Sequence, residues 1–173
     1  MQYNDTVMRC SRQMFVNALF SADHKADAFA RTFLRKADMQ NLWEHCKAIV
    51  DAEGNVCAAI ATTYSKKEPR VANLQLLHTF SKYRRMGYAE FLCQLSIVDA
   101  VTDGCSYYRV SAEPAAVAFY KRIGFTFLGE QKSKCQLSMF RLADNEADLN
   151  DPIIAAAVYK KGKGGCVKIF NNE

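Results

Sequence analysis

The chain predicts a single domain of mixed α/β architecture. At 173 residues it is long enough to bury a core without staples, and it falls in the size range of one domain. Apolar runs at 56–64 and 71–80 have the length and composition of strands, whereas from residue 88 the apolar spacing becomes that of a helix. Strand and helix patterns then alternate to residue 142, with no internal repeat and no low-complexity tract.

The elements follow in chain order. Residues 12–21 and 25–36 carry helix-forming apolar positions, among them Phe15, Leu19, Phe29, Phe33 and Leu34, and Asp23 is available to cap the second segment. A short helical stretch is expected around Leu42-Trp43. From Cys46 the period changes: Lys47-Ala48-Ile49-Val50 leads into Asp51-Ala52-Glu53-Gly54-Asn55, and Val56 to Tyr64 resumes as a strand, which makes a hairpin turning at Gly54. Polar Ser65-Lys66-Lys67-Glu68-Pro69 turns the chain into a third strand, Val71 to Phe80.

After Gly87, the positions Tyr88, Phe91, Leu92, Leu95, Val98 and Val101 predict an amphipathic helix that stops at Asp103-Gly104. Tyr108, Val110 and Ala112 alternate with Tyr107, Arg109 and Ser111 as a fourth strand. Pro114 opens a short helix with Ala116, Phe119, Tyr120 and Ile123 on one face, and Gly124 ends it. Phe125 to Glu130 and Cys135 to Leu142 read as a closing pair of strands.

Half of the residues are hydrophobic and 24% are charged, the balance of an ordinary globular protein. No stretch approaches the ~20 apolar residues of a membrane span, and Met1-Gln2-Tyr3-Asn4-Asp5 lacks the basic and apolar regions of a signal peptide, so a cytoplasmic protein is expected. The seven cysteines are widely spaced, never as Cys-x-x-Cys, and read as small buried hydrophobes. His45-Cys46 stands alone, so no metal site is expected. The net charge of +5 is spread over several loops and the tail, which would tolerate anionic ligands without specifying nucleic acid.

The junction of the third strand and the long helix carries the chemistry. Arg84-Arg85-Met86-Gly87-Tyr88-Ala89 reads Arg-x-x-Gly-x-Ala. Two cations, a glycine that lets backbone come close to a ligand, and the exposed N–H groups of a helix start together suit a pyrophosphate. A nucleotide-bearing cofactor is the expectation.

That hexapeptide, followed by a helix, a strand and then Ala116-x-x-Phe119-Tyr120-x-x-x-Gly124-Phe125, resembles the GCN5-related N-acetyltransferases, the GNAT superfamily. The resemblance covers about residues 45 to 142. It implies a central, mostly antiparallel twisted sheet with a splayed strand pair, flanked by helices, in a domain spanning 1–143. The remainder, 144–173, would be an extension.

The resemblance further implies that backbone at Leu77, His78 and Thr79 holds the pantetheine arm and thioester of acetyl-CoA. The amides of Arg84, Arg85, Met86, Gly87, Tyr88 and Ala89 would hold its pyrophosphate, with Phe119 beside the cofactor. Arg85 and Met86 stand where the family often has a glycine and a variable residue. Tyr120 is the candidate acid for the leaving thiolate. Many members have a glutamate base where this chain has Gln75, which cannot take a proton at neutral pH but can orient a water, with Asn73 as a relay. A substrate α-amine, with a pKa of ~7.7 to 8.0, needs less help than a lysine at ~10.4. Strand alternation sets His78 with Leu76 and Phe80, opposite Gln75, as a packed histidine. Glu113 replaces a common family asparagine and is expected to cap the helix at Pro114.

Beyond residue 143, Asp151-Pro152 could begin a helix, and Cys166 to Phe170 is strand-like. This tail could add a strand to the sheet edge or exchange in a homodimer. The intervening Gly162-Lys163-Gly164-Gly165 is read as a turn. Three functions follow: acetyl-CoA-dependent acetylation of a small-molecule or peptide amine, a toxin-like acetylation of aminoacyl-tRNA, and a non-catalytic module that binds a partner protein.

Overall fold

The computed structural model describes residues 4–21, 27–67, 70–131 and 136–142, with backbone alone for 126–131 and 136–142. Two compact units share the chain: Met1–Thr63 with Leu74–Val98, and Tyr64–Asn73 with Asp99–Glu173. The architecture is the expected mixed α/β one, a mostly antiparallel sheet flanked by helices.

In the first unit the strands run in the order β1 (Thr6–Arg9), β2 (Cys46–Val50), β3 (Val56–Tyr64), β4 (Val71–Thr79). β1 lies antiparallel to β2, from Thr6 opposite Val50 to Arg9 opposite Lys47. β2 and β3 form the expected hairpin, with Cys46 opposite Ala61 and Ile49 opposite Ala58. Its turn closes with the Asp51 amide donating to the Asn55 carbonyl, the Gly54 amide to the Asp51 carbonyl and the Asn55 amide to the Asp51 side chain, around Gly54 at φ +82°. β1 was not foreseen: Thr6–Arg9 is four residues long with one half-buried position, too short and too exposed to show a period.

Helix α1 (Arg12–Phe20) starts at Ser11, whose side chain accepts from the Met14 amide. Helix α2 (Ala28–Met39) begins later than expected. Its cap is Asp27, which accepts from the amides of Phe29 and Ala30; Asp23 lies outside the described residues. Ala30, Phe33 and Ala37 face the core, while Phe29 is exposed. Phe15 of α1 is fully buried, stacks on Phe33 at 4.5 Å and lies 5.2 Å from Phe80. Arg12 donates a fork of bonds to Asp38 at 2.8 and 3.0 Å, and the Trp43 indole donates to the same carboxylate at 2.8 Å. This ties both helices to the 3-10 turn at Trp43–His45, which stands where the short helical stretch was expected.

Helix α3 (Tyr88–Thr102) differs from expectation in its facing. Leu92, Cys93, Ser96, Ile97 and Ala100 are buried with Tyr88, whereas Phe91, Val98 and Val101 are exposed. A string of steps of three drifts around a helix of 3.6 residues per turn. The small residues Cys93, Ser96 and Ala100 instead mark the face that packs closely. The five described cysteines, 10, 46, 57, 93 and 105, are buried and form no disulfide among the described residues.

In the second unit β5 (Tyr107–Ala112), β7 (Gln136–Leu142) and β6 (Thr126–Gln131) lie in that order, antiparallel throughout. The start of β4 is the other neighbour of β5. Ser106 and Tyr107 amides both reach the Arg70 carbonyl, and three residues on, Asn73 meets Arg109, so these two strands advance in the same direction. A 3-10 turn, Pro114–Ala116, leads into α4 (Val117–Arg122), which ends at Gly124 with φ +92°. Glu113 sits at the start of that turn without a side-chain cap bond; its carbonyl accepts from Ala116. The Ser65–Pro69 turn is described only to Lys67, and the expectations for 144–173 lie outside the described residues.

Candidate active site

Alternation along β4 sets the first part of the site. Leu74, Leu76 and His78 are buried, Gln75 is exposed, and Leu77 and Thr79 are half-buried. Gln75 and His78 therefore occupy opposite faces, as expected. The Gln75 side-chain amide donates to the Thr63 hydroxyl at 2.8 Å, which fixes its carbonyl end. His78 is 5% exposed, edge-on to Phe80 at 4.9 Å, and its Nε2 lies 3.4 Å from a carboxylate oxygen of Asp27. It is packed among the helices rather than beside Gln75.

After β4 a 3-10 turn, Ser81–Tyr83, redirects the chain. Its last residue is anchored: the Tyr83 hydroxyl donates to Asp51 in the hairpin turn at 2.7 Å, and its ring meets Tyr88 at 6.1 Å. Tyr88, the first residue of α3, donates to Asp5 at 2.9 Å. Burial, reinforced by the bond to Asp51, raises the Tyr83 phenol. Burial and the Asp5 bond push Tyr88 up to about 12, so both stay protonated donors. At Asp51 burial works to raise the carboxyl, but bonds from Tyr83, Asn55 and the Glu53 amide outweigh it and leave the group below its ordinary range.

Between these anchors the cradle itself bends sharply. Arg85 has φ +64° and Gly87 φ +83°. The left-handed conformation costs a non-glycine residue about 1–2 kcal/mol, so the bend carries strain at Arg85. At Gly87 a Cβ would meet no atom within 4 Å, which leaves the backbone open to close approach. The Phe91 amide bonds to the Gly87 carbonyl at 3.0 Å, so the amides of the preceding residues have no acceptor inside the helix. α3 adds the dipole of 15 residues behind them.

Arg84 donates through Nε to the Thr79 carbonyl at 3.2 Å and through Nη2 to Asp27 at 3.3 Å, with its side chain 53% exposed. Open backbone, helix start and two arginines fit a diphosphate. Leu77, His78, Thr79 and the stretch Arg84–Ala89 thus come together in one unit with Gln75.

Tyr120 and Phe119 belong to the second unit. Tyr120 is 6% exposed, its ring inclined at 73° to that of Phe119 at 5.1 Å and at 68° to that of Phe125 at 5.3 Å. Its carbonyl accepts from the Phe125 amide, which closes α4 onto the Gly124 turn. Asn73, the suggested relay, has its side-chain oxygen held by Arg109 at 2.7 Å.

Sequence reading missed the carboxylates that hold the cradle in place, Asp27, Asp51 and Asp5. For two of them a signal existed. Asp27 precedes the helical run Ala28-Phe29-Ala30, and Asp51 opens an Asp-x-x-Gly-Asn turn, both places where a carboxylate bonds backbone amides. Among the described residues no three His, Cys, Asp or Glu side chains group to hold a metal ion, and no helix is long and apolar enough to cross a membrane.

Comparison with known proteins bears on the family and the fold. Residues 15–125 match the model of the Acetyltransferase (GNAT) family. No curated protein sequence matches. Among solved structures, Ard1 from Thermoplasma volcanium has a TM-score of 0.63 at 18% identity, over 80% of this chain and 97% of that one. The PaiA N-acetyltransferase of Thermoplasma acidophilum, solved with coenzyme A, gives 0.61 at 12% identity, over 82% and 99%. A bacterial toxin gives 0.59 at 20% identity, over 89% and 94%. With residues 15–125 matched to the family model and the fold shared with such structures over four-fifths or more of the chain, the chain belongs to the acetyltransferase (GNAT) family.

Proposed function

We propose that the protein is an acetyl-CoA-dependent N-acetyltransferase that acts on a primary amine of a small molecule or peptide, by direct attack in a ternary complex. The observation that carries the reading is the open backbone at Gly87, set at the start of α3 between Arg84, Arg85 and the helix amides. Arg84 through Ala89 would hold the pyrophosphate. Backbone at Leu77, His78 and Thr79 would hold the arm and donate to the carbonyl oxygen as charge develops on it. When bound, acetyl-CoA supplies the activated acyl group and a thiol leaving group.

Tyr120 is assigned the proton for that thiol from its place in the motif; its ring is buried and held between those of Phe119 and Phe125. Gln75, its nitrogen occupied by Thr63, has its oxygen to accept an N–H of the acceptor and orient the amine. It cannot remove a proton, so the acceptor arrives as the free amine, which favours α-amines over lysine side chains.

Titration of the purified protein with acetyl-CoA and CoA, repeated with Gly87→Glu, tests the cofactor site. Tight binding that the variant loses is the expected result, and no binding by folded wild type would overturn the proposal in favour of a partner-binding module. An acceptor screen then compares α-amines, lysine side chains and aminoacyl-tRNA. The tRNA reading draws support from the basic loops and from the fold shared with a bacterial toxin. Acetylation of aminoacyl-tRNA that falls steeply with salt would select it.

A further inference from the structure

Arg84 enters the sequence argument as a phosphate ligand, but its guanidinium is already partly engaged. One edge is clamped by the protein: Nε on the Thr79 carbonyl at 3.2 Å and Nη2 on Asp27 Oδ2 at 3.3 Å. Nη1 has no bond among the described residues, and the side chain is 53% exposed. The group at the other end of the clamp is the reverse: Asp27 is 9% exposed. Its Oδ1 caps α2 through the amides of Phe29 and Ala30, both at 3.1 Å, and its Oδ2 faces His78 Nε2 at 3.4 Å as well as Arg84. One carboxylate thus joins the start of α2, the end of β4 and the first residue of the cradle.

We infer that Asp27 is a positioning residue for the phosphate site: it freezes Arg84 with one edge inward so that the remaining donors meet the diphosphate without further ordering. This inference rests on the CoA reading above. A long charged side chain held in its bound rotamer before the ligand arrives avoids an ordering cost at binding. A capping aspartate that served α2 alone would need only Oδ1.

The test uses Asp27→Asn, which keeps a good cap and removes the charge, with Arg84→Gln and the double variant. CoA binding is measured by titration. Acetyl transfer is measured with acetyl-CoA and with S-acetylpantetheine, which lacks the diphosphate. Asp27→Asn should weaken CoA binding by about three- to tenfold, the range for freezing one long side chain, and leave kcat/KM for S-acetylpantetheine at the wild-type value. The double variant should lose no more CoA affinity than Arg84→Gln alone.

An equal loss with both acyl donors would overturn the inference and reduce Asp27 to a helix cap, as would additive losses in the double variant or unchanged CoA binding in Asp27→Asn. Failure of wild type to bind CoA would instead remove the reading beneath it. If Asp27→Asn does not fold, Arg84→Lys gives the same discrimination, since a lysine lacks the fork that spans Thr79 and Asp27: it should bind CoA as weakly as Arg84→Gln, and full wild-type affinity would refute the clamp.

Discussion

Gly87→Ala separates stability from binding in a way the structure allows to be calibrated internally. Gly54, Gly87 and Gly104 have nearly equal φ, +82°, +83° and +86°, and a Cβ added at any of them meets nothing within 4 Å. Alanine at each therefore pays for the left-handed backbone and for no overlap. That conformation costs about 1–2 kcal/mol, offset by about 0.4–1 kcal/mol because alanine restricts the unfolded chain. The net loss is about 0.5–1 kcal/mol, or a fall in Tm of about 1–4 °C for a chain of this size. The three variants should melt together.

They should part on CoA titration. On the proposed reading the methyl at Gly87 crowds the approach of phosphate to the backbone, and losing a single charge-assisted bond of about 1.5–3 kcal/mol raises Kd at least about tenfold. Gly54→Ala and Gly104→Ala should bind as wild type does. Wild-type affinity in Gly87→Ala, or an equal loss in all three, would refute the assignment of this loop as the phosphate cradle.

Three further outcomes are expected. Phe15→Ala, at a fully buried ring stacked 4.5 Å from Phe33, should cost about 3–5 kcal/mol in denaturant unfolding, and a loss below about 1 kcal/mol would mean the α1–α2 core is not packed as described. Tyr120→Phe keeps the contacts with Phe119 and Phe125 but removes the proton; kcat should fall about 100-fold with the Kd for CoA unchanged, and an unaltered kcat would leave Tyr120 as packing alone. The Asp51 carboxyl lies below its ordinary range because bonds from Tyr83, Asn55 and Glu53 outweigh burial, so its stabilisation is present above the unfolded pKa of about 3.9 and is lost as pH falls through the folded value. Below about pH 4 the wild type should lose stability more steeply than Asp51→Asn; parallel acid unfolding curves would contradict this.

Elements with one strong period were legible in the sequence. The hairpin about Gly54, β4, β5 and the helix closed by Gly124 all stand within a residue or so of where apolar alternation and glycine put them. β1 and the facing of α3 were not, because a four-residue strand is too short to show alternation and a helix that is apolar nearly all round has no polar face to orient it. The same division runs through the site. Arg84 to Ala89 could be singled out because its Arg-x-x-Gly-x-Ala spacing is local, carried by neighbouring residues. Asp27 and Asp51 could not be linked to it, since each meets the cradle 57 or 32 residues away in sequence, and only the fold brings them there.

The bonds at the head of the cradle bear on how it moves. Phe80 donates its amide to the Cys57 carbonyl of β3, and three residues later Tyr83 is fixed to the hairpin turn through Asp51. Ser81–Tyr83 cannot lift away without breaking both attachments, so it opens only when the β2–β3 hairpin loosens with it. Exchange of the Phe80 and Tyr83 amides with deuterated water should then be as slow as that of the strands, an uncommon protection for a loop. On the proposed reading, the cradle is set before its ligand arrives, and its recognition is that of a mould rather than a closing hand.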